Sequence, residues 1–476
     1  MARGHGLSDA YTATLTRLKA QKGNKSVLGL KVLMWVLYSE RPLRAKELCH
    51  ALGVEMGTTD LDSNNIPTLR TLLSSCLGLV TFEASSSIVR LVHFTLQEHL
   101  LSNPTISHSP HSSIAEVCLT YLNFECVRGL SPTLTSAPST MPFLEYASYY
   151  WGKHMKAGTA ENAKVLALRL LDRFDEHISA QLLLLGYNQN RSWEQLLGTR
   201  GPLGFTGLHG ASFFGIIEIV AAVLEMKEWD VNATDLMGST ALTWAAKNGW
   251  EGAVKLFLER DDVNPNQIDT FDGLTPLLWA AERGHEGVVK ILLEREDVNP
   301  NQADTYGQTP LVWAARCGNE GVVEMILQRG GVNPDQADTK YGQTPLAWAA
   351  KNGHGRIVEI LLKQQDVHTT TLDNENQTPL LLALSNGHNE VIRILRDNVN
   401  SNAAGSGGQA PLPLSSRDGV GRAAVVQSQG HDTYISATDL KNPPLPPPAD
   451  PDKGKGVIEI EDPVSKSEDS DPSLQK

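Results

Sequence analysis

The 476-residue sequence predicts a mainly α-helical chain: a small helix-and-hairpin domain, a helical connecting region, a solenoid of about six stacked repeats and a tail of low complexity. Three observations predict it. A Thr-centred signature recurs at Thr206, Thr240, Thr275, Thr309, Thr344 and Thr378, with spacings of 34, 35, 34, 35 and 34. Apolar residues ahead of it fall at helical spacing, and the composition changes sharply after Asn400. A fixed period of this length marks an array in which each unit buries its apolar face only against its neighbours.

Changes of texture set the expected boundaries: an N-terminal helix over 1–25, a domain over 26–101, a helical connection over 102–203, repeats over 204–400 and a disordered tail over 401–476. Leu30, Leu33, Met34 and Leu37 lie at i, i+3, i+4 and i+7, the apolar face of a helix that Pro42 ends. Residues 45–52 read as a second helix closed by Gly53, and residues 68–77 as a third. The strand-like runs 79–83 and 88–92 flank Ala84-Ser-Ser-Ser87, which predicts a hairpin. Three helices followed by a hairpin is the order of a winged helix.

Each repeat has a physical grammar. Thr240, Thr275, Thr309, Thr344 and Thr378 stand where a helix N-cap is needed, and their hydroxyls can accept orphan amides. Pro276, Pro310, Pro345 and Pro379 follow at the first helical position, where a missing N–H costs nothing. Gly249, Gly284, Gly318, Gly353 and Gly387 close the first helix. A second helix follows, and the paired alanines such as Ala280-Ala281 and Ala314-Ala315 are small where helix layers must approach. The last repeat fades after Arg396 and is expected to be the polar cap of the array. At the other end, Phe213 and Phe214 are expected to pack on the helical region before them.

Trp35 with Arg41-Pro42-Leu43, Glu47-Leu48, Cys76-Leu-Gly-Leu-Val80 and Val89-Arg-Leu-Val-His93 resemble the winged-helix segment of fungal NACHT–ankyrin proteins, a segment named after GPI inositol-deacylase. The likeness continues through Tyr121-Leu-Asn-Phe124 and Pro142-Phe-Leu-Glu-Tyr146, and the repeats resemble the ankyrin type of the same proteins. It covers roughly residues 7–400, with residues 7–15 similar to the last helix of the NACHT region that precedes this segment. A NACHT domain needs a P-loop, GxxxxGKS/T, to hold phosphates, and the sequence has none; Gly23-Asn-Lys25-Ser26 lacks the spaced glycine and the Gly-Lys adjacency. ATPase activity is therefore not implied. Nor is deacylase chemistry, because a GxSxG nucleophile elbow is also absent. The resemblance implies a short or truncated member that keeps the lever and the sensor without the motor.

By the same resemblance Trp244, Trp279, Trp313 and Trp348 face the core between helices and do not form a ligand cage. The expected partner-binding face lies on the turn tips and the exposed end of each first helix. It comprises Leu236, Met237 and Ser239 with Lys247 and Asn248; Phe271 and Leu274 with Glu282 and Arg283; Tyr306 and Gln308 with Arg316; and Tyr341 and Gln343 with Lys351 and Asn352. Aromatic and basic anchors of this sort dominate binding hot spots. The competing expectation is a solvated face with no fixed partner.

Other chemistry finds little support in the sequence. A formal charge of -13 disfavours general nucleic-acid binding, and the third helix of the expected winged helix carries a single Arg70 among leucines. A DNA-associated regulator is the alternative reading, and a degenerate hydrolase comes third. The five cysteines show no metal or disulfide pattern and fit a reducing compartment, while His93 and His99, six apart on an expected helix, are poorly spaced for a shared metal. No catalytic, cofactor or metal residues are assigned. In the tail, Val457, Ile458 and Ile460 followed by acids resemble a SUMO-interacting motif, and the proline run 443–448 suits an SH3 or WW module. The expectation is a non-enzymatic interaction scaffold of NOD-like-receptor-type signalling or non-self recognition. It would bind protein partners in the cytoplasm, with the nucleus as second compartment, and have no membrane contact.

Overall fold

The computed structural model describes residues 4–102, 108–158, 160–187, 204–226, 229–270 and 272–405. Phe271, the motif of Val457, Ile458 and Ile460, and the proline run lie outside the described residues. After a separate N-terminal helix, α1 (Gly4–Lys19), come the three helices and hairpin of the winged helix: α2 (Asn24–Tyr38), α3 (Ala45–Gly53) and α4 (Leu69–Ser75), then strands β1 (Val80–Glu83) and β2 (Ile88–Leu91). The strands pair antiparallel with Val80 opposite Leu91 and Glu83 opposite Ile88, and an isolated bridge from Arg44 to Ile88 extends the ladder. Thr68 caps α4 by accepting the Thr71 N–H at 3.2 Å.

Local chemistry explains the Arg41-Pro42-Leu43 motif. The guanidinium of Arg41 makes a two-pronged pair with the Glu47 carboxylate, both bonds at 2.8 Å, and Glu47 also accepts the Arg44 N–H at 2.8 Å. Glu47 is 2% exposed, so its charge is tolerated only because these donors surround it. Arg41 also sits 5.3 Å over the ring of Tyr146, which joins the winged helix to the helical connection. α5 (Phe94–Ser102) packs on α1, with His99 beside Ser8. His93 is not on that helix as expected; it precedes it and accepts the Thr95 N–H at Nδ1.

The connecting region is α6 (Pro110–Leu122), α7 (Glu125–Arg128), α8 (Leu144–Ala157), α9 (Glu161–Leu171) and α10 (Ile178–Tyr187). Trp35 reaches into it, edge-on to Phe143 at 5.5 Å and to Tyr146 at 5.9 Å. At its other side Trp151 meets Phe214 at 4.8 Å and Tyr187 meets Phe213 at 5.2 Å. Gly152 permits the first contact: a Cβ there would lie 2.2 Å from the Phe214 ring. The described residues thus form one compact unit with a continuous buried cluster from Val32 to Leu395.

Six helix pairs follow. The inner helices are Gly207–Phe214, Ala241–Lys247, Pro276–Arg283, Pro310–Cys317, Pro345–Asn352 and Pro379–Ser385. The outer ones are Ile217–Glu225, Glu251–Leu258, Glu286–Glu294, Glu320–Gln328, Gly355–Leu361 and Asn389–Gly405. Thr240, Thr275, Thr309, Thr344 and Thr378 each accept a backbone N–H three residues on, as the capping signature predicts. Glycine is doubly required after the inner helix. Gly318 has φ 84, and an added Cβ would stand 2.8 Å from the His354 ring of the next repeat.

Two ladders run along the outer edge. Arg295 pairs with Asp297 while its Nη1 donates to the Leu258 and Arg260 carbonyls of the preceding repeat, and Arg260 treats Asp262 and Leu224 alike. Asn266 donates to the Asp297 carbonyl at 2.6 Å and accepts the Asn299 N–H at 2.8 Å; Asn232 and Asn301 repeat the pattern. Asn264, Asn299 and Asn333 turn the chain around a following proline, their side-chain oxygens accepting the N–H two residues on. Among the described residues no helix is long and apolar enough to cross a membrane.

His177 gives the fold a pH dependence. It is 6% exposed; its Nδ1 accepts the Ser179 N–H, which leaves Nε2 to donate to the Leu122 carbonyl at 3.0 Å. Burial pushes its pKa down to about 4, with Arg128 adding to the effect. The neutral ring's contribution is fully present above the unfolded pKa near 6.5 and is lost as pH falls towards about 4. Urea unfolding at pH 7 and pH 5 should show a loss of about 2 kcal/mol from this group, and His177→Gln should flatten the dependence by that amount.

Candidate protein-interaction face

Each repeat turn is organised by an aspartate at a fixed place: Asp235, Asp269, Asp304, Asp338 and Asp373. One oxygen gathers turn amides. Asp304 Oδ1 accepts the Tyr306 and Gln308 N–H groups, both at 2.8 Å, and Asp235 accepts those of Met237 and Ser239 at 2.9 Å. The other oxygen takes the indole N–H of the inner helix: Trp244 to Asp235 at 2.8 Å, Trp279 to Asp269 at 3.0 Å, Trp313 to Asp304 at 3.0 Å and Trp348 to Asp338 at 2.7 Å. Burial raises the Asp304 pKa, opposed by these donors.

This pairing corrects the reading of the tryptophans. Trp244 and Trp348 are buried, but Trp279 and Trp313 are only half-buried and keep one ring face at the surface. Cations cover these faces. Lys247 Nζ lies 3.7 Å from the Trp279 centroid, Arg316 lies 4.9 Å from Trp313 and 4.7 Å from Trp348, and Lys351 lies 4.9 Å from Trp348. Arg283 sits 5.9 Å from Trp279, and Lys340 bridges Tyr306 at 4.4 Å and Tyr341 at 5.1 Å. Each such contact is worth about 0.5–1 kcal/mol at the surface, enough to hold a long side chain in place. Burial and the nearby Arg283 push Lys247 down to about 8, so its charge is withdrawn as pH rises past that point.

The expected face residues divide into two groups. Tyr306, Tyr341 and Asn352 are exposed, and Leu236, Met237, Lys247, Asn248, Glu282, Arg283, Arg316 and Lys351 are half-buried beside them. Leu274, Gln308 and Gln343 are 2%, 1% and 4% exposed and are not surface residues. The reason is the turn itself. The residue before each N-cap threonine closes the turn, its carbonyl accepting the aspartate N–H, as at Leu274, Gln308 and Gln343, and its side chain is carried inward. Ser239, buried for the same reason, repeats this. Gln308 then supports Arg316 at 3.1 Å, and Gln343 donates to Asp373 at 2.9 Å. Asn248 and Asn352 spend their amide groups on the Trp244 and Arg316 carbonyls.

Lys340, Trp279 and Trp313 are face residues that the sequence reading left out. The signal was present. The aspartate period matches the threonine period, and the turns at Asp269 and Asp338 carry one extra residue. Elsewhere, burial pushes the Cys76 thiol up to about 12, and burial with the neighbouring Glu282 pushes Cys317 up to about 11. The α4 helix presents Arg70 as its sole basic residue.

The chain matches ankyrin repeats, in three copies, over residues 250–338 and 330–405, and the GPI inositol-deacylase winged-helix domain over residues 15–113. It therefore carries an ankyrin-repeat array behind a winged-helix domain of that type, on a mainly helical frame. The repeat of Thr206 and the inner helix of the Thr240 repeat precede the matched span and join the array by their geometry. Among solved structures it is similar to the crystal structure of the ankyrin-repeat protein EF0377, at 23% identity and a TM-score of 0.38, over 41% of this chain and 98% of that one. No curated protein matches the chain. Ankyrin repeats generally mediate protein–protein binding.

Trp313→Phe keeps an aromatic ring, though a smaller one, and removes the donor to Asp304. It should lower repeat stability by about 1–3 kcal/mol in urea unfolding. Combined with Asp304→Asn, the loss should fall short of the sum of the two single losses, as expected of directly coupled groups.

Proposed function

We propose that the chain is a non-catalytic interaction scaffold whose repeat face binds an acidic, extended segment of a partner protein. The observation that carries this is the ladder of Lys247, Arg283, Arg316, Lys340 and Lys351 laid over Trp279, Trp313, Trp348, Tyr306 and Tyr341. A chain of net charge -13 here places cations along one face, with Glu282 and the turn aspartates Asp269 and Asp235 acting on Lys247 from beside it. Their side chains are ordered before binding, so less conformational entropy is lost when a partner arrives. Charge complementarity then contributes to association rate and to rejection of basic competitors.

The resemblance to NACHT–ankyrin proteins supports a wider reading, in which the array senses a ligand and the winged helix relays that state in cytoplasmic NOD-like-receptor-type signalling. The tail would add a docking strand for a SUMO-like protein at Val457, Ile458 and Ile460, or a polyproline segment for an SH3 or WW module at its proline run.

Labelled peptides of equal length and acidic, neutral or basic character, followed by fluorescence anisotropy with the full chain, test the proposal. The acidic set should bind best and weaken as salt rises. Lys340→Glu with Lys351→Glu should cost at least about tenfold in affinity. Equal binding of all three sets, or an unchanged double variant, would retire the reading.

A further inference from the structure

Three side chains unconnected with the repeat face meet where the winged helix joins the connecting region. Glu40 follows α2, His111 stands in the first turn of α6, and His154 lies near the end of α8. One donor atom from each falls within 4.8 Å of the others. His154 is fully buried, and its Nδ1 faces His111 Nδ1 at 2.9 Å. Two imidazole nitrogens at that distance share one hydrogen, since facing N–H groups or facing lone pairs would repel. The remaining nitrogen of His154 is held by the Tyr146 hydroxyl at 2.9 Å, and that hydroxyl accepts the Glu40 N–H at 3.0 Å.

We propose that Glu40, His111 and His154 form a binding site for a divalent transition-metal ion of the zinc class. Two imidazole nitrogens and one carboxylate oxygen suit zinc and its neighbours, whereas magnesium and calcium prefer all-oxygen shells. Zinc–nitrogen bonds of about 2.0–2.1 Å place tetrahedral ligands about 3.3 Å apart. The imidazole pair must therefore open by about 0.4 Å. His111 is half-buried and Glu40 exposed, so these two can move while His154 stays fixed. Tyr146 supplies what a metal-bound histidine needs, a polar partner that orients the ring through its far nitrogen. Binding replaces the hydrogen shared between the two Nδ1 atoms with the ion, and the ring that carried it changes tautomer, holding its proton on the far nitrogen so that both imidazoles stay neutral. Lys153, 4.0 Å from the Glu40 carboxylate and 58% exposed, can swing clear.

The ion would tie the exit of α2 to α6 and to α8, the helix whose Trp151 packs against Phe214 of the first repeat. It would thus brace the joint between the winged helix and the array.

The test titrates the metal-free full chain with zinc by calorimetry and with cobalt by visible absorption. His111→Ala and Glu40→Gln are the probes, and His93→Ala is the control histidine. Expected are one equivalent of zinc, tetrahedral cobalt bands, and a rise in melting temperature of roughly 5 °C at zinc a hundredfold above Kd. Each probe variant should lose at least about tenfold in affinity, with His93→Ala unchanged. Absence of saturable one-equivalent binding, or probe variants that bind like the parent, would overturn the proposal. Should His111→Ala lose its metal-free circular-dichroism signature, Glu40→Gln, a change at an exposed position, decides alone.

Discussion

The bond from each indole N–H to its turn aspartate is the constraint on which the repeat array depends. The aspartate is a node with two faces: one oxygen shapes the turn, and the other fixes an inner-helix ring against it. A ring anchored through its N–H cannot turn over, so its exposed face is always offered to the same side. The cations that stack there inherit that direction. At the ends of the array the node is served differently. Leu382 replaces tryptophan in the last repeat, and Asp373 takes Gln343 of the repeat before it. In the first repeat His209 donates across to the Ser239 carbonyl.

Repeats are joined by a second set of bonds that bypasses their apolar surfaces. His285, His354 and His388 each point a ring nitrogen at the last inner-helix turn of the repeat before, at Lys247, Arg316 and Lys351, and Asn319 does so with its amide. A typical bond of this kind contributes about 1 kcal/mol, and one per junction makes the stability of each repeat depend on its neighbour. The turn tips are tied as well: the Met237, Tyr306 and Tyr341 carbonyls accept N–H groups of the following repeat. Their side chains are left to face outward while their backbones hold the stack together. At the N-terminal side the array needs no polar cap, because Trp151, Leu171, Phe174 and Tyr187 cover its first helix.

Most of the architecture was legible because its instructions are local. Thr68 caps α4, Pro42 follows α2, and the serine turn after β1 closes a hairpin, each within a few residues of the element it governs. The same holds for the Thr-Pro starts and glycine ends of the inner helices. The face was less legible because exposure is not a local property. Gln308 and Gln343 sit beside the turn tip in sequence, yet a backbone bond to the aspartate turns them inward. Trp279 and Trp313 have the same local sequence as Trp348 but end half-exposed, since a neighbouring repeat decides what covers a ring. Glu40, His111 and His154 could not be grouped from sequence at all, because the exit of α2 and two later helices bring them together.

The Asn-Pro turns on the outer edge bear on how long the array can last. Asparagine ages when the backbone nitrogen of the next residue attacks its side-chain carbonyl, a step that requires that nitrogen to give up a proton. In Asn264-Pro265, Asn299-Pro300 and Asn333-Pro334 the next nitrogen belongs to a pyrrolidine ring and has no proton to give. The side-chain oxygens are also held by the amide two residues on. Three asparagines that lie near water are thereby protected from deamidation. At these three positions the turn that carries the chain from one repeat to the next is closed to the route by which asparagine gains a charge.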